Sequence, residues 1–138
     1  MIGRLLLLGA LLAPLPGWAI DAQPLKVYRD GSVNFVAGGM TDEELKALGI
    51  LEEKYPVKLM FSVHGDKAPL KGVRIQVLNV AKDALVDVML PGPVFMVNPP
   101  SGRYTFQAEY NGEILTRTFD LTGRRYLGWQ FEFGAGQK

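Results

Sequence analysis

From Val57 to Phe133 the chain alternates between apolar and polar residues with a period of two. VKLMFSV (57–63) sets Val57, Leu59, Phe61 and Val63 on one face and Lys58, Met60 and Ser62 on the other. That period is the mark of a strand with one buried face. VRIQVLNV (73–80) repeats it, with Val73, Ile75 and Val77 inward, and LVDVML (85–90) follows. FMV (95–97) is a brief run between PGP (91–93) and NPPSG (98–102). GRYTFQAEY (102–110) is the most regular stretch: Tyr104, Phe106, Ala108 and Tyr110 share a face. Asn111-Gly112 then separates it from EILTRTFDL (113–121), and both residues tolerate the positive φ of a type I′ hairpin turn. YLGWQFEF (126–133) is the last run, with Trp129, Phe131 and Phe133 on one face. Short strands punctuated in this way predict a β-sandwich.

Residues 20–56 have a different texture. Asp30-Gly31 between Val27-Tyr28 and Val33–Val36 is a hairpin signal. Gly38-Gly39 reads as a flexible joint, since the Lys-Ser/Thr and preceding buried strand of a phosphate loop are missing. TDEELKALGILEEKYP then predicts one short helix over 41–54. Thr41 and Glu44 form a capping box, Asp42 to Glu44 suit the positive first turn, and Pro56 ends the segment. Leu45, Leu48 and Leu51 recur at helical spacing, while Gly49 costs this helix roughly 1 kcal/mol relative to alanine. The expected organisation is a signal peptide (1–19), a hairpin and helix extension (20–56), a sandwich domain (57–133) and a tail (134–138).

The signal peptide changes the charge picture. MIGRLLLLGALLAPLPGWA has one positive residue, Arg4, then an apolar run broken by Pro14, Pro16 and Gly17. Gly17 and Ala19 are the small residues expected before a cleavage site. The run is about half the ~20 residues of a spanning helix, so the expectation is export to the periplasm or beyond, with no membrane span after cleavage. Loss of Arg4 leaves 14 basic and 14 acidic residues. A neutral chain offers no field for phosphates, so nucleic acid is not an expected partner. The chain has no cysteine. Disulfides, thiolate metal sites, a cysteine nucleophile and a lipid anchor on cysteine are therefore excluded.

The segment from Gly72 to Leu121 resembles the carboxypeptidase regulatory-like family. The residues that carry the likeness are Gly72-Val73, Ile75 and Val77, then Pro99, Pro100, Gly102, Tyr104, Phe106, Ala108, Tyr110 and Gly112. The resemblance covers roughly residues 57–133. It implies a transthyretin-like (prealbumin-like), seven-stranded Greek-key sandwich, as in small exported proteobacterial proteins. It also implies a non-catalytic accessory or binding module. The enzymatic transthyretin-like branch, the hydroxyisourate hydrolases, uses several histidines and a tyrosine-arginine-glycine-serine tail. This chain has one histidine and ends in GAGQK.

Few side chains suggest chemistry. His64, beside Asp66 and two residues from Ser62, is the one candidate base, and no GxSxG elbow accompanies it. It lacks partners for a zinc site. Asp66, Asp83, Asp87, Glu109 and Asp120 carry calcium-type oxygens, but no DxDxDG loop gathers them. No metal or cofactor is expected. Arg124-Arg125 reads as a solvated turn. Most aromatics read as core. Phe95 and Met96 are the exceptions, because the prolines around PGPVFMVNPP suggest an edge strand or loop with an exposed contact patch. The expected function is a non-catalytic exported module binding a protein or cell-envelope partner. A small-ligand or carbohydrate-binding module is the second expectation, and a hydrolase using His64 the third.

Overall fold

The structure, a computed structural model, describes residues 27–30, 33–123 and 126–134. The expected signal peptide, Arg124-Arg125 and the tail after Gly134 lie outside the described residues. The chain is mainly β, folded as two packed sheets with one short helix.

Strands β1 (Val27–Asp30) and β2 (Val33–Gly38) form the first hairpin. Helix α1 (Asp42–Leu51) and a 3-10 turn (Glu52–Lys54) follow. Seven strands come next: β3 (Val57–Val63), β4 (Arg74–Leu78), β5 (Ala84–Met89), β6 (Val94–Asn98), β7 (Arg103–Tyr110), β8 (Glu113–Asp120) and β9 (Leu127–Phe133). The five-stranded sheet runs β9-β3-β6-β2-β1 and the four-stranded sheet β5-β4-β7-β8. All pairs are antiparallel except β9 with β3, which run parallel from Leu127 opposite Val57 to Phe133 opposite Val63. Asn111 and Gly112 have φ of 50° and 81°, the pair of positive values that a type I′ turn requires, and Tyr110 faces Glu113 across it.

The main core lies between the sheets. Val33, Phe35, Leu59, Phe61, Ile75, Val77, Phe95, Phe106, Phe131 and Phe133 are all buried there. At one side β9 closes against β8: Trp129 meets Phe119 edge-on at 5.5 Å, the Arg117 guanidinium lies 4.6 Å from the Trp129 ring centre, and Glu113 accepts from the Gly134 amide at 2.8 Å. A second, smaller core lies on the outer face of the five-stranded sheet. There Leu48 of α1 packs with Val36, Tyr55, Val94 and Met96. Helix α1 thus covers the sheet that the first hairpin extends.

Thr41 caps α1 as expected, its hydroxyl accepting from the Glu44 amide at 3.1 Å. The Glu44 carboxylate does not return to Thr41. It accepts from the amides of Gly39 and Met40, both at 2.9 Å. Gly39 has φ +101°, and this left-handed turn brings the two amides within reach of Glu44. Gly38-Gly39 is accordingly a buried, hydrogen-bonded corner, which corrects the reading as a joint. A Cβ on Gly92 would lie 2.4 Å from the Gly38 carbonyl oxygen, so the two glycine segments pack backbone on backbone.

The largest correction concerns Phe95 and Met96. Strand β6 pairs with β2 on one side and β3 on the other, so it is an interior strand. Phe95 and Met96 are both 0 % exposed. Phe95 points into the core between the sheets and Met96 into the core under α1. The prolines misled because they stand at 91, 93, 99 and 100, outside the strand, where they interrupt no ladder bond. Neither side chain presents a surface to a partner.

Candidate functional site

The loop between β6 and β7 begins with Asn98, Pro99, Pro100 and Ser101. Tyr104 holds it: its hydroxyl donates to the Pro100 carbonyl at 2.7 Å, and burial raises the Tyr104 pKa above the ordinary tyrosine value. Leu121 donates its amide to the Gly102 carbonyl at 2.6 Å, which ties the far end of β8 to the same loop. Across from it, Leu127 donates to the Pro56 carbonyl at 2.7 Å and fixes the start of β9 beside the start of β3. Between these two tied corners lies an open cleft of about 370 Å³.

Tyr126 stands at its mouth. The side chain is 71 % exposed, yet its hydroxyl donates to the Glu53 carbonyl at 3.2 Å, so the ring is held in place. Pro99 and Pro100 line the other wall. The side chains of Glu53, Lys54, Asn98 and Ser101 also border the cleft and make no hydrogen bond or ion pair among the described residues. A fixed ring, two rigid pyrrolidines and uncommitted charge, amide and hydroxyl groups form a surface that can stack on and hydrogen-bond to a guest. In the sequence NPPSG reads as a break between apolar runs, and its Pro99, Pro100 and Gly102 carry part of the family likeness. Nothing local shows that it faces residues 53–56 and 126, because those meet it through the β3–β6 and β3–β9 pairings.

His64 lies elsewhere, just past β3. Its Nδ1 is 3.0 Å from Glu132 Oε2, and both side chains are exposed. Ser62 Oγ accepts from Gln130 Nε2 at 2.9 Å, and Asp66 Oδ1 accepts from the Ala68 amide. The structure therefore brings Glu132 to His64, a partner 68 positions away, and engages Ser62 and Asp66 with other groups. The acidic side chains considered for calcium are scattered: Asp87 is bound by Arg74 and Gln76 on the outer face of the four-stranded sheet, and Asp120 lies opposite Arg103. No group of three or more His, Cys, Asp or Glu gathers as a metal site among the described residues. No described helix is long and apolar enough to cross a membrane.

The second concavity is an apolar slot of about 170 Å³ at the open side of the sandwich, lined by Phe35, Ala37, Val88, Met89, Leu90 and Pro91. Comparison with known protein families and with curated proteins returns no match to this chain.

Proposed function

We propose that this chain is a non-catalytic, exported β-sandwich module that binds a protein or cell-envelope partner, and that the partner docks in the cleft between the Asn98–Ser101 loop and Tyr126. One observation carries the reading: an exposed aromatic ring, pinned by its own hydroxyl, borders a cleft whose Glu53, Lys54, Asn98 and Ser101 side chains are unengaged among the described residues. Ring and loop are both held in place before a partner arrives, so little ordering entropy opposes binding. The signal-like first residues and the resemblance to carboxypeptidase regulatory-like domains support an exported accessory role.

A photo-crosslinking residue at Ser101, introduced into the full chain, tests this reading. The expected result is one discrete adduct in intact cells, lost when Tyr126→Ala or Asn98→Ala is added. A crosslinking pattern that neither variant changes overturns the cleft as the docking site.

The same cleft favours carbohydrate as a second reading, since an aromatic ring beside amide and hydroxyl groups suits the apolar face and the hydroxyls of a sugar. A thermal-shift screen with soluble glycans separates the two: saturable stabilisation abolished by Tyr126→Ala favours the sugar. The hydrolase reading draws no support from His64, whose observed partner is an exposed carboxylate. Any hydrolytic activity found in the purified chain is expected to survive His64→Ala.

A further inference from the structure

The two sheets do not match in width. β9 meets β8 at one side of the sandwich. At the other side a slot is shared by β2 and β5, and β1, one strand beyond β2, has no counterpart among the described strands of the narrower sheet. The slot lined by Phe35 and Ala37 of β2 and by Val88 and Met89 of β5 marks the place where the narrower sheet stops.

β5 is the edge at that place, and from Asp87 to Met89 it is open among the described residues. Among the described strands it pairs only with β4. The Leu90 amide and carbonyl are both bonded toward β4, to Val73 and Gly72. Alternation along an antiparallel strand then turns the backbone groups of Asp87 and Met89 to the open side. Strand ALVDVM contains no proline or lysine, and Asp87, its one charge, is held on the outer sheet face by Arg74 at 2.8 and 2.9 Å. Prolines, lysines and bulges commonly block natural edge strands, and of these β5 carries only the bulge at Leu85, two residues before Asp87. The β8 and β9 edges are different, because they close on each other through Trp129, Arg117 and Glu113.

We infer that the β5 edge accepts one extended segment of a partner protein as a fifth strand of the narrower sheet, with an apolar side chain seated in the slot beneath it. Main-chain bonds to Asp87 and Met89 supply affinity and the slot supplies selectivity, as in strand addition generally. The slot, at about 170 Å³, is on the scale of an apolar cavity that takes a benzene-sized group, so phenylalanine or leucine fits. The strand count also selects a single strand over a second copy. β1 extends one strand beyond β5, which among the described residues leaves about one strand spacing, roughly 4.8 Å, beside β5. A second copy joined through β5 would bring its own β1 into that space and set Asp87 near Asp87. This surface is separate from the Tyr126 cleft, so the two readings fail independently.

Amide NMR on the full chain tests the inference, with the acetylated and amidated peptide KTVTFTVTK as probe. Saturable shifts confined to β5, Phe35 and Ala37 are expected, with at least tenfold weaker binding of KTVTSTVTK. Met89→Pro should abolish binding while the unfolding midpoint stays close to that of the parent, because the lost N–H faces solvent. Ala37→Leu, which fills the slot, should weaken the phenylalanine peptide selectively. The inference is overturned by no binding at millimolar peptide, or by binding that both variants leave intact. It is equally overturned by a dimer that Met89→Pro dissociates, or by contacts from residues 20–26 to Val88 or Met89 in the free chain.

Discussion

At the scale of single residues, the sharpest constraints are steric. A Cβ at position 92 would sit 2.4 Å from the Gly38 oxygen and 2.5 Å from its carbonyl carbon, both backbone atoms that cannot rotate away. Gly92→Ala is therefore expected to destabilise by about 3 kcal/mol or more, read as a lower urea midpoint. Tyr104→Phe removes one hydroxyl, and the Pro100 carbonyl loses its donor. A loss of about 1 kcal/mol is expected, together with faster amide exchange at Ser101. The glycine of PGP was visible in the sequence only as part of a break between apolar runs. Its role as a contact point was not, because Gly38 lies 54 positions earlier and meets it only when β2 pairs with β6.

At the scale of elements, the period-two runs were legible nearly to the residue: VKLMFSV is β3 and RYTFQAEY is β7. The helix was legible from Thr41 and its acidic first turn, although α1 ends at Leu51 and a 3-10 turn completes the predicted span. Nothing approaches within 4 Å of a Cβ built on Gly49. Gly49→Ala should therefore stabilise by up to about 1 kcal/mol, seen as a rise in thermal midpoint. The β4–β5 pair carries the clearest charge effect. The Arg74 hydrogen bond, opposed in part by desolvation, holds the Asp87 pKa below its ordinary value. A depressed carboxyl contributes stability above its unfolded pKa and loses it as pH falls through the folded value. Asp87→Asn should accordingly lower stability at pH 7 and converge with the parent as pH falls through the depressed folded-state pKa, in chemical denaturation across pH.

At the scale of the whole molecule, β6 joins the two cores. Phe95 and Met96 are neighbours in sequence, yet they are buried on opposite faces of one strand. Phe95→Ala should cost about 3–5 kcal/mol and Met96→Ala about 2–5 kcal/mol in urea denaturation. Side chains on an exposed edge would move the midpoint far less. The first hairpin and α1 are part of the same arrangement. β2 supplies Val33, Phe35 and Ala37 to the main core and Val36 to the helix side.

The order of apolar and polar residues by itself determined the strands, the cap of α1 and the Asn111-Gly112 turn, because each depends on residues within a few positions of one another. Tertiary structure alone decided which strands are interior. PGPVFMVNPP became a central strand, since its neighbours β2 and β3 come from residues 33–38 and 57–63, far away in the chain. The Tyr126 cleft and the β5 slot arise in the same way. Each is a gap between segments distant in sequence, and the width of a gap is set by how sheets pair and stack, which no local pattern encodes.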